Sequence, residues 1–557
     1  MAFSALLSSP EDHPWKLSDP TIFDLSVRGN PLARARLTKF QVRRALFTES
    51  FTMTTPLSSL PENRQGHPRP RGTSWLGQLL RRLHFYAGIF VGPFILIAAL
   101  SGALYAISPQ IEKVVYADEL TTSATGPALP LADQVTAATT YTGGAESISA
   151  VRPAPKPGAT TRVMFDDPNL GESESRAIFI DPTTAEVTGD LTVYGTSGAL
   201  PLRTWVDQLH RSLHLGDIGR YYSELAASWL GIIAVAGLCL WVMRARKARK
   251  ASALLRPTTK HKGLRRTFSW HASVGVWAAI GMLFLSATGI TWSQLGGDNV
   301  SKLRAALDRS TPAVSAELGA GSAGHSEGSA GQPGDGGHAG HAGHNGHSGH
   351  DGAPEVDPAD FDTTLAVAQD VNVNTGLVEI LPPADDDSAW VVQEIQRSFP
   401  TEVDAVAIDV DTMEITDRVD FSDYGLASKL ARWGIDLHMG TMFGLANQIV
   451  LFALAIGIAS MVVFGYVMWW QRRPKHDPNR RSGVTPVRGA LANAPWWGVA
   501  AVSLAAVGIG VFLPMVGISL LGFLIVDGLL GHRVVLRGYR RSRPSRQRTR
   551  DHGATGS

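Results

Sequence analysis

Apolar residues gather in four runs long enough to cross a bilayer, at about 83–108, 223–243, 270–292 and 447–470. A fifth run at 496–530 is interrupted by Pro514, which predicts a two-helix hairpin turning there and brings the expected spans to six. Between the runs the patterning changes. Residues 131–141 predict a short helix, followed by strands at 147–152, 160–165 and 176–181, the last ending in the turn signal Asp181-Pro182. Residues 362–372, 375–380, 388–397 and 404–410 repeat that order.

The repetition extends to single residues. A gapless shift of 228 superimposes Ile180, Asp181, Trp205, His210, Gly216, Gly237, Trp241 and Arg244 on Ile408, Asp409, Trp433, His438, Gly444, Gly465, Trp469 and Arg472. His84 to Gly102 and His271 to Gly289 are both 18 residues, with Gly88 and Gly275 each four residues after the histidine. This is an internal duplication of span, polar domain and span. The predicted fold class is an α-helical polytopic membrane protein, with a four-helix core, a C-terminal hairpin and two small α+β domains.

Charge orients the chain, because basic short loops stay cytoplasmic. Residues 244–269 hold ten Lys or Arg and no acid, 471–495 hold six against one acid, and the tail from Gly531 holds eight Arg. The long segments 109–222 and 293–446 carry eight bases against fourteen acids and seven against twenty-five. The expected organisation is a disordered cytoplasmic extension at 1–74, then spans at 75–108, 223–243, 270–292 and 447–470 and a hairpin at 496–530. Outer domains fill 109–222 and 362–446, with an outer linker at 293–361. Basic cytoplasmic loops occupy 244–269 and 471–495, and a basic tail 531–557 meets anionic lipid rather than nucleic acid. Residues 1–52 show no signal-peptide core, and Met53 competes with Met1 as the start. The single cysteine, Cys239, falls inside a span, so the outer domains must cohere by packing.

A tract at 318–352 is built of Gly, Ser, Ala and His and has almost nothing to bury. His338, His341, His344, His347 and His350 recur at every third residue, with His325 upstream. Such flexible imidazoles capture Zn²⁺, Cu²⁺, Ni²⁺ or iron, or else the tract is a soluble spacer.

The four duplicated histidines carry the main chemical expectation. His84 and His271 open spans at the cytoplasmic face, while His210 and His438 precede spans at the outer face. If the halves pack about an axis along the membrane normal, each face brings two imidazoles together, as bis-histidine ligation of haem iron requires. Gly88 and Gly275, one helical turn on, let a flat ring approach the backbone or let helices pack closely. Arg81, Arg82, Arg265 and Arg266 inside, and Arg203, Arg211, Arg220 and Arg432 outside, are candidate propionate partners, although the inner set also anchors topology. His214 competes with His210, but its duplicate position is Met442. Tetrahedral zinc is disfavoured, since no cysteine and few carboxylates lie near these histidines.

Two stretches point to a family. FIDPTTAEVTG at 179–189 and the more diverged AIDVDTMEITD at 407–417 resemble the closing strand and turn of a PepSY domain. The segments beginning HFYAGIFVGPF at 84, LHRSLHLGDIGRYY at 209, HASVGVWAAIG at 271 and LHMGTMFGLANQ at 437 resemble the PepSY-associated transmembrane family, over roughly residues 75–530. That family occurs in bacterial inner membranes, is linked to iron acquisition and includes di-haem ferric-siderophore reductases. The resemblance implies two b-type haems, ligated by His84, His271, His210 and His438, and electron transfer from the cytoplasmic side to an outer acceptor such as a ferric siderophore. No Rossmann fingerprint appears in the short basic loops, so a separate donor, a quinol or a flavin reductase, is expected. The alternative is a non-enzymatic metal- or haem-binding accessory module of an uptake system, which the His-rich tract favours. HExxH is absent, which argues against a peptidase.

Overall fold

A computed structural model describes residues 74–144, 146–248, 250–307, 311–318, 356–473, 485–486 and 489–541, with backbone alone over 530–541. The His-rich tract, including His325, His338, His341, His344, His347 and His350, lies outside the described residues, as does nearly all of the N-terminal extension.

In chain order the elements are helices α1 (Trp75–Phe90), α2 (Gly92–Val115), α3 (Ala117–Leu120) and α4 (Leu131–Thr142), then strands β1 (Ile148–Arg152), β2 (Thr161–Phe165), β3 (Glu174–Ile180) and β4 (Val187–Tyr194). Next come α5 (Pro201–Ser212), α6 (Gly216–Ala245), α7 (Leu264–Thr291), α8 (Leu295–Ala306) and α9 (Ala359–Asp370). Strands β5 (Val378–Leu381), β6 (Trp390–Glu394), β7 (Ala405–Asp409) and β8 (Glu414–Val419) precede α10 (Leu426–Met439), α11 (Gly444–Gln471), α12 (Trp496–Phe512) and α13 (Pro514–Arg541).

Four helices, α2, α6, α7 and α11, are long and apolar enough to cross a membrane, whereas α12 and the apolar part of α13 are shorter. Their shared core is rich in small residues, among them Ala87, Ala99, Ala226, Ala234, Ala278, Ala279 and Ala459, which let helix backbones approach closely where lipid supplies no hydrophobic drive. Their outward faces show Trp277, Ile280 and Leu504 more than two-thirds exposed, as side chains facing lipid would be.

Pro93 divides the first predicted span into α1 and α2. It has no N–H to give the carbonyl of Ile89, and the Tyr466 hydroxyl of α11 donates to that oxygen instead, at 2.6 Å. The kink is therefore satisfied by a side chain from a neighbouring helix.

The polar segments form one eight-stranded antiparallel sheet, ordered β4-β3-β2-β1-β5-β6-β7-β8. Read outward from the central seam, strand order is the same in both directions, and the seam pairs Val151 with Ile380. A fourth strand in each half, β4 and β8, adds to the three expected. Alternation puts Val151, Val163, Phe165, Ile178, Ile180, Ile380 and Ile408 on one face, under α4 and α9. Each such side chain, fully buried, contributes about 1.5–3 kcal/mol, so a disulfide-free unit coheres through a core common to both halves. The Asp362 carboxylate of α9 accepts the Leu131 and Ala132 amides at 2.8 Å and caps α4. On the opposite face Ala150, Met164, Ala177 and Phe179 pack towards Tyr116 and Leu120, next to the end of α2.

Candidate functional site

His84 lies on α1 and His271 on α7, and their rings face each other with centroids 6.1 Å apart and planes at 78°. His84 Nδ1 is 3.0 Å from the Ile233 carbonyl on α6, and His271 Nδ1 is 3.1 Å from the Met461 carbonyl on α11. A carbonyl only accepts, so in both rings Nδ1 carries the proton and Nε2 keeps its lone pair. Ile233 and Met461 are themselves separated by the 228-residue shift.

His210 and His438 lie in the last turns of the short helices α5 and α10, just before the spans α6 and α11, as expected. His210 Nδ1 lies 2.9 Å from Ser101 Oγ on α2, and His438 Nδ1 lies 2.5 Å from Thr288 Oγ1 on α7. Both hydroxyls already donate within their helices, Ser101 to Ile97 and Thr288 to Phe284, so they accept from Nδ1–H, and the His210 ring also hydrogen-bonds the Ala98 carbonyl. Burial lowers the pKa of His210, and burial together with the nearby His210 lowers that of His438 to about 3. Both rings are thus neutral at physiological pH, the form that binds metal. His214 packs elsewhere: a left-handed turn through Leu213 and His214, with φ of 53° and 56°, sets it against Trp205, with ring centroids 5.1 Å apart and planes tilted by 36°.

Eighteen residues of α1 and α2 separate His84 from Gly102, which His210 touches. At about 1.5 Å per residue this is ~27 Å, close to the ~30 Å of a hydrocarbon core, so the pairs belong to opposite ends of the bundle.

Glycines let the rings lie close against neighbouring helix backbones. All four imidazoles lie deep between helices yet retain accessible surface. A Cβ on Gly237 would stand 3.0 Å from His84 Cε1, and one on Gly102 would stand 3.1 Å from His210 Cε1. Gly88 opens onto space with no atom within 4 Å, while Gly275 meets Met461 Sδ at 3.1 Å. One turn beyond Gly237, the buried Trp241 Nε1 has no hydrogen-bond partner, a donor free for an acidic group of a ligand. A metal–nitrogen bond of about 2 Å on either side puts two imidazole centroids about 6 Å apart, the separation found for His84 and His271. The spacing and tautomers of His84 and His271 fit a bis-histidine haem. Among the described residues no group of three or more His, Cys, Asp or Glu is placed to hold a metal ion by itself.

Most of the candidate arginines have partners within the protein. Arg203 pairs with Glu112 at 3.3 Å, Arg432 with Asp436 at 3.2 Å and Arg82 with Asp527 at 2.6 Å. Arg81 binds the Gly77 carbonyl, Arg211 the Tyr194 hydroxyl and Arg220 the Trp292 carbonyl, while Arg265 and Arg266 are exposed. Sequence reasoning passed over Ser101 and Thr288, although each is a hydroxyl 17 residues after a paired histidine.

The PepSY-associated TM region family matches residues 81–472. The chain belongs to this family. It is accordingly a membrane protein of the PepSY-associated group, and all four histidines fall within the matched segment. No curated protein matches the chain significantly.

Proposed function

We propose that this PepSY-associated protein is a di-haem oxidoreductase that moves electrons from the cytoplasmic side of a bacterial inner membrane to an outer acceptor, ferric siderophore iron. The observation that carries the reading is the His84–His271 pair, spaced for one shared metal with both Nδ1 protons given to backbone carbonyls. Haem bound at each pair supplies reversible one-electron chemistry. The chain's own residues do the rest. The carbonyls of Ile233 and Met461 and the hydroxyls of Ser101 and Thr288 fix ring orientation and tautomer. Gly237 and Gly102 keep the helix backbone close to the rings, and the apolar helices exclude water between the sites.

Basic short loops put the His84 end and both termini in the cytoplasm and the sheet outside. Internal duplication accounts for the symmetric strand order and for the repeated acceptors. Ferric iron is the favoured acceptor because its ferrous form binds hard oxygen chelators more weakly and can leave. A quinol or a separate flavin reductase supplies the electrons, and the His-rich tract binds Zn²⁺, Cu²⁺, Ni²⁺ or iron.

Proteoliposomes with reductant trapped inside and a ferric hydroxamate outside test the proposal. External ferrous iron should accumulate with the wild-type chain and fall to background with His84→Ala or His438→Ala. Equal rates for all three would refute it. The accessory-module alternative rests on the His-rich tract, and predicts a colourless protein that still takes up zinc or copper.

A further inference from the structure

Five guanidinium groups gather between the membrane-side face of the sheet and the helices that carry His210 and His438. Strand alternation places Arg152 of β1 and Arg162 of β2 on that face, opposite Val151 and Val163. The turn at Gly195–Gly198 joins them. Arg152 Nη2 donates to the Thr196 carbonyl at 3.0 Å and Arg162 Nη1 to the Gly198 carbonyl at 3.2 Å. From the other half of the sheet, Arg397 Nη2 donates to Thr196 Oγ1 at 2.6 Å. Its Nη1 lies 3.6 Å from Met439 Sδ, next in sequence to His438. Arg203 and Arg432 complete the group from α5 and α10.

Three of the five meet a carboxylate: Arg152 meets Glu379 at 2.6 Å, Arg203 meets Glu112 and Arg432 meets Asp436. Arg162 and Arg397 meet none among the described residues; their partners are a carbonyl, a hydroxyl, a thioether and the Phe179 ring at 5.1 Å. Both lie deep in the protein yet keep some accessible surface. Burial, with Arg152 and Arg203 nearby and Glu112 opposing, lowers the pKa of Arg162 to about 9, and burial, with Arg432 nearby and Asp436 opposing, lowers that of Arg397 to about 10. Each is still a cation at neutral pH. Glu112 near Arg162 and Asp436 near Arg397 offset part of this charge, but each is already paired with another arginine, so five guanidinium groups share three paired carboxylates and a further anion would be stabilised among them.

We infer that Arg162 and Arg397, braced by Arg152 and Thr196, form a carboxylate-binding site between the sheet and the His210–His438 pair. The carboxylate has two possible sources, a propionate of haem held at that pair or an anionic ferric chelate docking from the sheet side. Only the first source rests on the di-haem reading.

The test uses the full-length chain with Arg162→Gln, Arg397→Gln and the charge-retaining Arg397→Lys. Haem at the His84–His271 pair serves as an internal control for folding. In one arm, haem-depleted protein is reloaded with haem or with haem dimethyl ester, whose propionates carry no charge. The propionate source predicts about tenfold preference for haem at the His210–His438 pair, lost in both Gln variants and restored by Lys. In the other arm, ferric citrate titrates the wild type and variants. The chelate source predicts about tenfold weaker citrate binding in the Gln variants, with haem retention unchanged. Gln variants that alter neither the ester preference nor citrate affinity overturn the inference. A chain that bound no haem would sink the di-haem reading alone, and the citrate arm would still decide the anion site.

Discussion

His84 and His271 give their Nδ1 protons to backbone carbonyls, whereas His210 and His438 meet the hydroxyls of Ser101 and Thr288, His210 with the Ala98 carbonyl as a second partner. The first arrangement is written into helix geometry, and no side-chain substitution removes the acceptor. The second depends in part on two side chains and is open to tuning. Surroundings differ too: beside the sheet Arg397, which forms no ion pair among the described residues, reaches Met439 next to His438, while near the other pair Arg82 is neutralised by Asp527 and Arg81, Arg265 and Arg266 are exposed. Positive charge favours the reduced, less positive iron. The account therefore expects the sheet-side site to have the higher reduction potential, which makes transfer towards it downhill.

Removing a ligand from either pair is the strongest way to break the comparison. His271→Ala should abolish the lower-potential wave in a redox titration and His438→Ala the higher one, each leaving the other site loaded. Loss of both waves in either variant would show that the sites are not independent.

Next come the acceptors. Ser101→Ala or Thr288→Val should weaken haem retention at the sheet-side pair about 10–100-fold, measured by haem transfer to a scavenger, and leave the other pair unchanged. An equal loss at both pairs would contradict the assignment of these hydroxyls.

A smaller effect is expected from added methyl groups. Gly237→Ala should shift only the His84–His271 spectrum and Gly102→Ala only the other, since each Cβ would stand 3.0–3.1 Å from one imidazole. Overpacking of this kind costs about 1–3 kcal/mol.

The smallest effect is a pH dependence of the haem-free chain. His438 ordinarily titrates at 6.5 and is held at about 3 by burial, so the unfolded state binds the extra proton between those values. Stability should fall as pH drops from about 6.5, and His438→Leu should flatten that fall in thermal melts. A slope unchanged by the substitution would place the titration elsewhere.

How much of this was legible in the sequence follows from where each signal lives. Spans and histidines repeat in register, and hydropathy or a fixed spacing exposes them. Ser101 and Thr288 carry the same register but look like ordinary hydroxyls in apolar helices, which usually bond their own backbone, as these do. Gly88 and Gly275 drew attention as neighbours of histidines in sequence, yet the glycines against His84 and His210 are Gly237 and Gly102, on other helices. Joining of the two outer units into one sheet rests on the Val151–Ile380 pairing, a contact between strands more than two hundred residues apart. Arg162 and Arg397 meet through the Thr196 turn only once that seam has formed.

The central claim is best tested by a reduced-minus-oxidised visible spectrum of the purified full-length protein with a haem count. The account predicts b-type bands and two haems per chain, falling to one in His84→Ala. A protein that carries no haem, or whose count is the same without His84, would contradict it.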